Sequence, residues 1–144
     1  MRKNLAWLAV ASLLSVACFN AEARTVPAPE EIDVSQASAG AIHISAKDYQ
    51  FDLPTSSAKA GTIDFVVHND SLNEHEFMIV PYEDGRYGMP IGEIEPFGGG
   101  EMKALRAQLE PGNYRFVCLV ISVVNGTPKS DMSRGMNAPF EVTR

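Results

Sequence analysis

Between residues 41 and 144 turn-forming residues cut the chain so often that no helix of ordinary length fits between the cuts. What lies between them reads as short strands. In "AIHISA" Ile42 and Ile44 alternate with His43 and Ser45, as in a strand with one buried face. "YQFDLP" follows, and then "KAGTIDFVVHN" turns into an apolar run with Ile63, Phe65 and Val67 on one side. "EHEFMIVP" puts Phe77 and Ile79 on the same face as His75, and "MKALRAQL" aligns Leu105, Ala107 and Leu109. "YRFVCLV" and "PFEVT" complete the set. Residues 81–100 are so dense in Gly and Pro that they predict a surface excursion, with at most a short helical turn. The pattern predicts an all-β fold, a Greek-key β-sandwich or barrel of about seven or eight strands.

The first 40 residues read differently. Arg2 and Lys3 precede the apolar run "LAWLAVASLLSVACF", and Ala21-Glu22-Ala23 has the small-x-small form of a cleavage site. Residues 1–23 are therefore expected to be an export signal that is removed, leaving no membrane span and placing the mature chain in the periplasm. Lipid attachment at Cys18 is disfavoured, because Ser15 stands three residues before it where a Leu-like side chain is wanted. Residues 24–40, rich in Pro, Ala, Ser and acidic side chains, are expected to be a flexible leader to a domain over 41–144. Losing Arg2, Lys3 and Glu22 takes the formal charge from −6 to −7. That sign argues against a nucleic-acid partner and for a protein partner with a basic docking patch.

Removal of the signal leaves Cys118 without a disulfide partner. A lone thiol in an oxidising compartment is a liability unless it is buried and inert, or bound to metal as a thiolate. Both readings are open on composition alone.

The stretches "VVHNDSLNEHEFMIV" (66–80), "PGNYRFVC" (111–118) and "DMSRGMNAPFEV" (131–142), framed by "ISAKDYQFDLP" and "KAGTIDFVV", resemble the cupredoxins, the small copper proteins that include plastocyanin and azurin. The resemblance covers nearly all of residues 41–144, and its order and spacing are more specific than any one stretch. It implies one mononuclear copper ion, with His75 as the first imidazole ligand, Cys118 as the thiolate and Met136 as the weak axial thioether. The family's second imidazole lies five residues before that Met, and here the position is Asp131. No histidine follows His75.

Such a donor set has a physical rationale. Cuprous copper favours soft sulfur and cupric copper favours nitrogen and oxygen, so imidazole, thiolate and a distant thioether serve both states moderately. A hard carboxylate at Asp131 would favour the cupric state. Three readings of that position are open: Asp131 ligates, it is a solvated loop residue beside a weak site, or His68 or His43 supplies the missing nitrogen.

Between Cys118 and Asp131 lie twelve residues, "LVISVVNGTPKS", whose Asn125-Gly126 pair predicts a tight hairpin. Its apolar residues Val120, Ile121, Val123 and Val124 are expected to pack on the domain rather than to form a docking patch. Glu76 follows His75 and strand alternation turns it away from the ligand side. Met78, Met89, Met102 and Met132 are scattered, and Asp70 and Glu74 read as solvated acids. No Ser/His/Asp set, H-E-x-x-H motif or phosphate loop points to an enzyme. The leading expectation is an exported cupredoxin-like protein that carries electrons or holds copper, working with a redox partner or a copper donor or acceptor. The alternative is a metal-poor module of the same fold that serves in binding or interaction.

Overall fold

The computed structural model describes residues 26–144, so the expected export signal over 1–23, with Cys18, lies outside the described residues. The strands, in chain order, are β1 (Glu30–Ile32), β2 (Ile42–Lys47), β3 (Gln50–Asp52), β4 (Ser57–Lys59), β5 (Gly61–Asn69), β6 (His75–Glu83) and β7 (Arg86–Tyr87). After these come β8 (Gly92–Phe97), β9 (Met102–Leu109), β10 (Gly112–Val117), β11 (Ile121–Val124), β12 (Thr127–Ser130) and β13 (Asn137–Thr143). The described residues contain two helical segments, single 3-10 turns at Val34–Gln36 and Met132–Arg134.

One sheet has the order β1-β9-β5-β2-β3 and the other β4-β13-β10-β6-β7, with β8 also on β6. The β2–β5 and β4–β13 pairs are parallel and the remaining pairs antiparallel, so the chain crosses repeatedly between sheets, as in a Greek key. Several strands are only two to four residues long, which is why the count exceeds the seven or eight expected.

Alternation fixes which side chains meet between the sheets. Ile42, Ile44 and Ala46 point inward from β2, and Ala138, Phe140 and Val142 from β13. Four buried phenylalanines form the centre: Phe116 lies 4.8 Å from both Phe77 and Phe140, and 5.3 Å from Phe65, ring centroid to centroid. Offset and edge-on aromatic contacts of this kind favour one arrangement of the core over others. The inward positions of β6 end at His75, so the last side chain of the apolar row is an imidazole.

Two segments differ from the sequence expectation. Part of the segment expected to be a flexible leader over 24–40 is built into the sheet: Glu30–Ile32 pairs antiparallel with Ala104–Arg106. The buried Asp64 carboxylate accepts from Arg106 Nε at 2.7 Å and Nη2 at 2.9 Å, and from the Ser38 amide at 2.7 Å, while Arg106 also donates to the Gln36 carbonyl at 3.1 Å. Residues 36–38 are thereby tied to the face of β5 and β9. The stretch over 81–100, expected to be a surface excursion, instead carries β7 and β8. Asp84 and Gly85, at φ 50° and 78°, make a tight turn from β6 into β7, and β8 pairs back on β6.

Candidate metal centre

Four segments meet at one end of the sandwich. His75 opens β6, where the pairing with β8 slips by a residue between His75 and Phe77. On the other edge of β6 the Glu76 amide lies beyond the last β6–β10 pair, Met78 with Val117, and donates to Cys118 Sγ at 3.4 Å. Cys118 follows the last paired residue of β10. Beyond it the chain makes the hairpin β11–β12, with Asn125 and Gly126 at φ 51° and 76° as the Asn-Gly signature requires.

Main-chain hydrogen bonds then fold the segment back on itself. The Asp131 amide donates to Val120 C=O at 2.9 Å, Met132 to Cys118 C=O at 2.7 Å, Met136 to Asp131 C=O at 3.0 Å, and Cys118 to Met136 C=O at 3.2 Å. Gly135 makes the return possible. Its φ of 122° is one that residues with a side chain rarely adopt, and a Cβ there would sit 3.1 Å from the Tyr49 carbonyl oxygen.

The result is a buried group of donors. His75, Cys118 and Asp131 each offer one ligand atom within 4.8 Å of the others, and among the described residues this is the group that could hold a metal ion. Asp131 Oδ2 lies 3.0 Å from His75 Nδ1 and 3.6 Å from Cys118 Sγ, and Nδ1 lies 3.9 Å from Sγ. In the plane of these atoms one point is equally far from all three, about 2.1 Å from each. Bonds from nitrogen, oxygen and sulfur to a first-row divalent ion run to about 2.0–2.3 Å. The donors therefore fit such an ion in both number and spacing.

The surroundings orient these donors. His75 Nε2 lies 3.0 Å from Asp48 Oδ1, and Asp48 also accepts from Asn73 Nδ2 at 3.0 and 3.1 Å. The Asn73 bond, with a smaller contribution from His75, holds the Asp48 carboxyl below the usual range against the opposing pull of desolvation. In the tautomer whose Nε2–H donates to Asp48, the lone pair of Nδ1 would be available to a metal. Burial pushes the Cys118 thiol up to about 12, helped by the nearby Asp131 and Glu76 charges and opposed by the Glu76 and Val120 amides. Without a metal this sulfur is an unreactive thiol. Burial also raises Glu76, whose carboxylate accepts the Leu119 amide.

Met136 is fully buried, shares the apolar cluster that contains Cys118, and contacts it through the main chain. Asp131 is buried too, which overturns its reading as a solvated loop residue. Neither His68 nor His43 substitutes: His68 pairs with Asp70 at 2.8 Å on the surface and His43 is exposed. Glu76 turns off the donor side as alternation dictates, yet it is buried. The hairpin packs only in part, with Val120 against the core but Ile121 and Val123 about 70% exposed. Sequence reading missed Asp48, Tyr49 and Arg134, which carry no local motif and reach the site from a turn 27 residues before His75 and from the loop around Asp131.

No protein-family model matches the chain, and no curated protein matches it significantly. Solved structures do. The reduced auracyanin of the photosynthetic bacterium Roseiflexus castenholzii aligns with a TM-score of 0.59 at 18% identity, over 75% of this chain and 99% of its own. Auracyanin B aligns at 0.57 and 16% identity, over 81% and 99%. Auracyanin A, a "blue" copper protein of Chloroflexus aurantiacus, aligns at 0.52 and 18%, over 72% and 98%. At these identities the likeness is one of fold, and the fold of this chain is that of the cupredoxins.

Proposed function

We propose that the chain binds one copper ion through His75 Nδ1, Cys118 Sγ and Asp131 Oδ2, with Met136 as a weak axial partner, and that it carries electrons or holds copper in the periplasm. The observation that carries this reading is the donor triangle: three buried polar atoms from distant segments, spaced for bonds of metal length. Auracyanin A, named as a blue copper protein, shares the fold. When bound, copper would supply a one-electron couple and draw the thiol proton off Cys118.

The chain's own residues do the rest. Asp48 holds the His75 ring so that Nδ1 faces inward, and the Glu76 amide directs a hydrogen bond at the sulfur. The rigid strands at β6 and β10 hold nitrogen and sulfur at a fixed separation, which keeps reorganisation small between oxidation states. The reading is of a carrier, with all three donor side chains buried. The acidic balance of the chain supports a partner with a basic surface.

Copper titration of the purified chain, followed by visible spectroscopy, tests this. An aspartate Oδ and an imidazole Nδ1 both lie two bonds beyond Cβ, so Asp131→His places a nitrogen where the oxygen now stands. Wild type is expected to show a thiolate-to-copper charge-transfer band, and Asp131→His a stronger one. Absence of any such band in both proteins refutes the reading. The exposed Ile121 and Val123 side chains favour a second one, a metal-poor interaction module. On that view Cys118→Ser leaves partner binding and copper affinity unchanged, whereas the copper reading requires a large loss of affinity.

A further inference from the structure

Asp131 has two carboxylate oxygens and only one of them faces the donor triangle. Oδ2 meets His75 Nδ1 and Cys118 Sγ, while Oδ1 lies 3.7 Å from Arg134 Nη1. The two residues are three apart in a 3-10 turn, whose period of about three residues puts them on one side. The Asp131 side chain makes no capping hydrogen bond in that turn, so its carboxylate is not engaged there. Arg134 is not a loose surface cation. Its guanidinium carbon sits 3.2 Å over the Tyr49 ring, and Nη1 donates to Ser122 Oγ at 2.9 Å. The Tyr49 ring in turn meets the His75 ring edge-on, centroids 6.2 Å apart. A stack, a hydroxyl and a carboxylate thus hold this side chain in place, with 22% of it exposed.

We infer that Arg134 is a positioning residue of the proposed copper centre: it engages Oδ1 of Asp131, leaves Oδ2 as a single inward donor, and offsets the negative charge that the carboxylate brings beside the thiolate. The inference rests on the copper reading above and extends it. A thiolate and a carboxylate together neutralise a cupric ion and leave a cuprous one negative. Asp48, against the far side of His75, adds a further anion. A fixed cation on Oδ1 favours the more negative, cuprous state, and so raises the reduction potential that the carboxylate lowers.

The test compares wild type with Arg134→Gln, Arg134→Lys and Tyr49→Leu, each loaded with copper, measuring the reduction potential by voltammetry together with the visible spectrum. Thermal unfolding of each protein without metal separates folding from tuning. Arg134→Gln, which keeps much of the bulk and loses the charge, is expected to raise the cupric-over-cuprous affinity ratio about tenfold, a fall of about 59 mV for a one-electron couple. Arg134→Lys is expected to restore most of that shift. Tyr49→Leu leaves both charges and removes the platform, and is expected to give a smaller fall of the same sign. A wild type that takes up no copper overturns the metal-centre reading and this inference with it. Copper-loaded Arg134→Gln and Tyr49→Leu proteins with wild-type potentials overturn the inference alone, as does a lysine variant that behaves like glutamine.

Discussion

Replacing Asp64 by Asn probes whether the segment before β2 is part of the folded unit. Asp64 and Arg106 face each other directly across the β5–β9 pair, and the carboxylate is buried while the guanidinium reaches solvent at one edge. The Arg106 hydrogen bonds, against the cost of burial and with help from Ser38, bring the Asp64 carboxyl from 3.8 down to about 2. A folded-state value below the unfolded one means that ionised Asp64 stabilises the fold above about pH 4 and that this contribution disappears as pH falls through about 2. The shift corresponds to about 2 kcal/mol, an upper value because water screens the exposed end of Arg106. Loss of a buried partner costs more when the charge left behind is also buried, but here the guanidinium can turn to water, and the amide oxygen of Asn can still accept from Ser38. Urea unfolding at pH 7 should therefore show Asp64→Asn less stable by about 1–2 kcal/mol. Between pH 4 and pH 2 the gap should close, because wild type loses what the variant never had. A variant within about 0.5 kcal/mol of wild type at pH 7, or a gap that stays constant down to pH 2, would refute the reasoning.

Three further outcomes follow from the site. The Cys118 thiol, pushed up to about 12 from 9.0, has a thiolate fraction at neutral pH about a thousandfold below that of a free thiol, so iodoacetamide should label the metal-free protein at least that much more slowly, and faster with rising pH. Asp48→Asn keeps the shape of the side chain but weakens the acceptor for His75 Nε2–H; metal affinity measured by chelator competition should drop about 10- to 100-fold while thermal stability changes little. Gly135→Ala forces a side chain into a φ of 122° and a Cβ to 3.1 Å from the Tyr49 carbonyl oxygen. It should cost about 1–3 kcal/mol in urea unfolding and broaden the charge-transfer band by displacing Met136.

Local periodicity made most of the strands legible, because side chains such as Ile42, Ile44 and Phe140 must face inward wherever the sheets meet. The hairpin at Asn125-Gly126 was legible for an equally local reason, the positive φ of its central residues. Elements whose stability comes from a distant partner were not. Glu30–Ile32 has no alternation of its own and becomes a strand only because Ala104–Arg106 offers an edge. In β8 the buried residues are Ile94 and Phe97, three apart, since the slip opposite His75 breaks the period of two. The candidate donors followed from the resemblance to the cupredoxins, but the burial of Asp131 and the reach of Asp48 are properties of the closed loop and the neighbouring turn.

That closed loop decides what the centre is. Asp131 alone in a solvated turn would be an ordinary carboxylate, hydrated and indifferent to the sulfur thirteen residues earlier. The amides of Asp131 and Met132 bond back to Val120 and Cys118, and the carbonyls of Asp131 and Met136 receive the amides of Met136 and Cys118, so the turn is clamped onto the end of β10. With the backbone fixed, burial of the carboxylate is forced, and an anion so buried needs a partner. The structure offers His75 on one oxygen and Arg134 on the other. A metal at the triangle would take over the first of these contacts and leave the second intact. Asp131 is thus fixed from both sides, by a clamp that presents one oxygen inward and by a cation that meets the other.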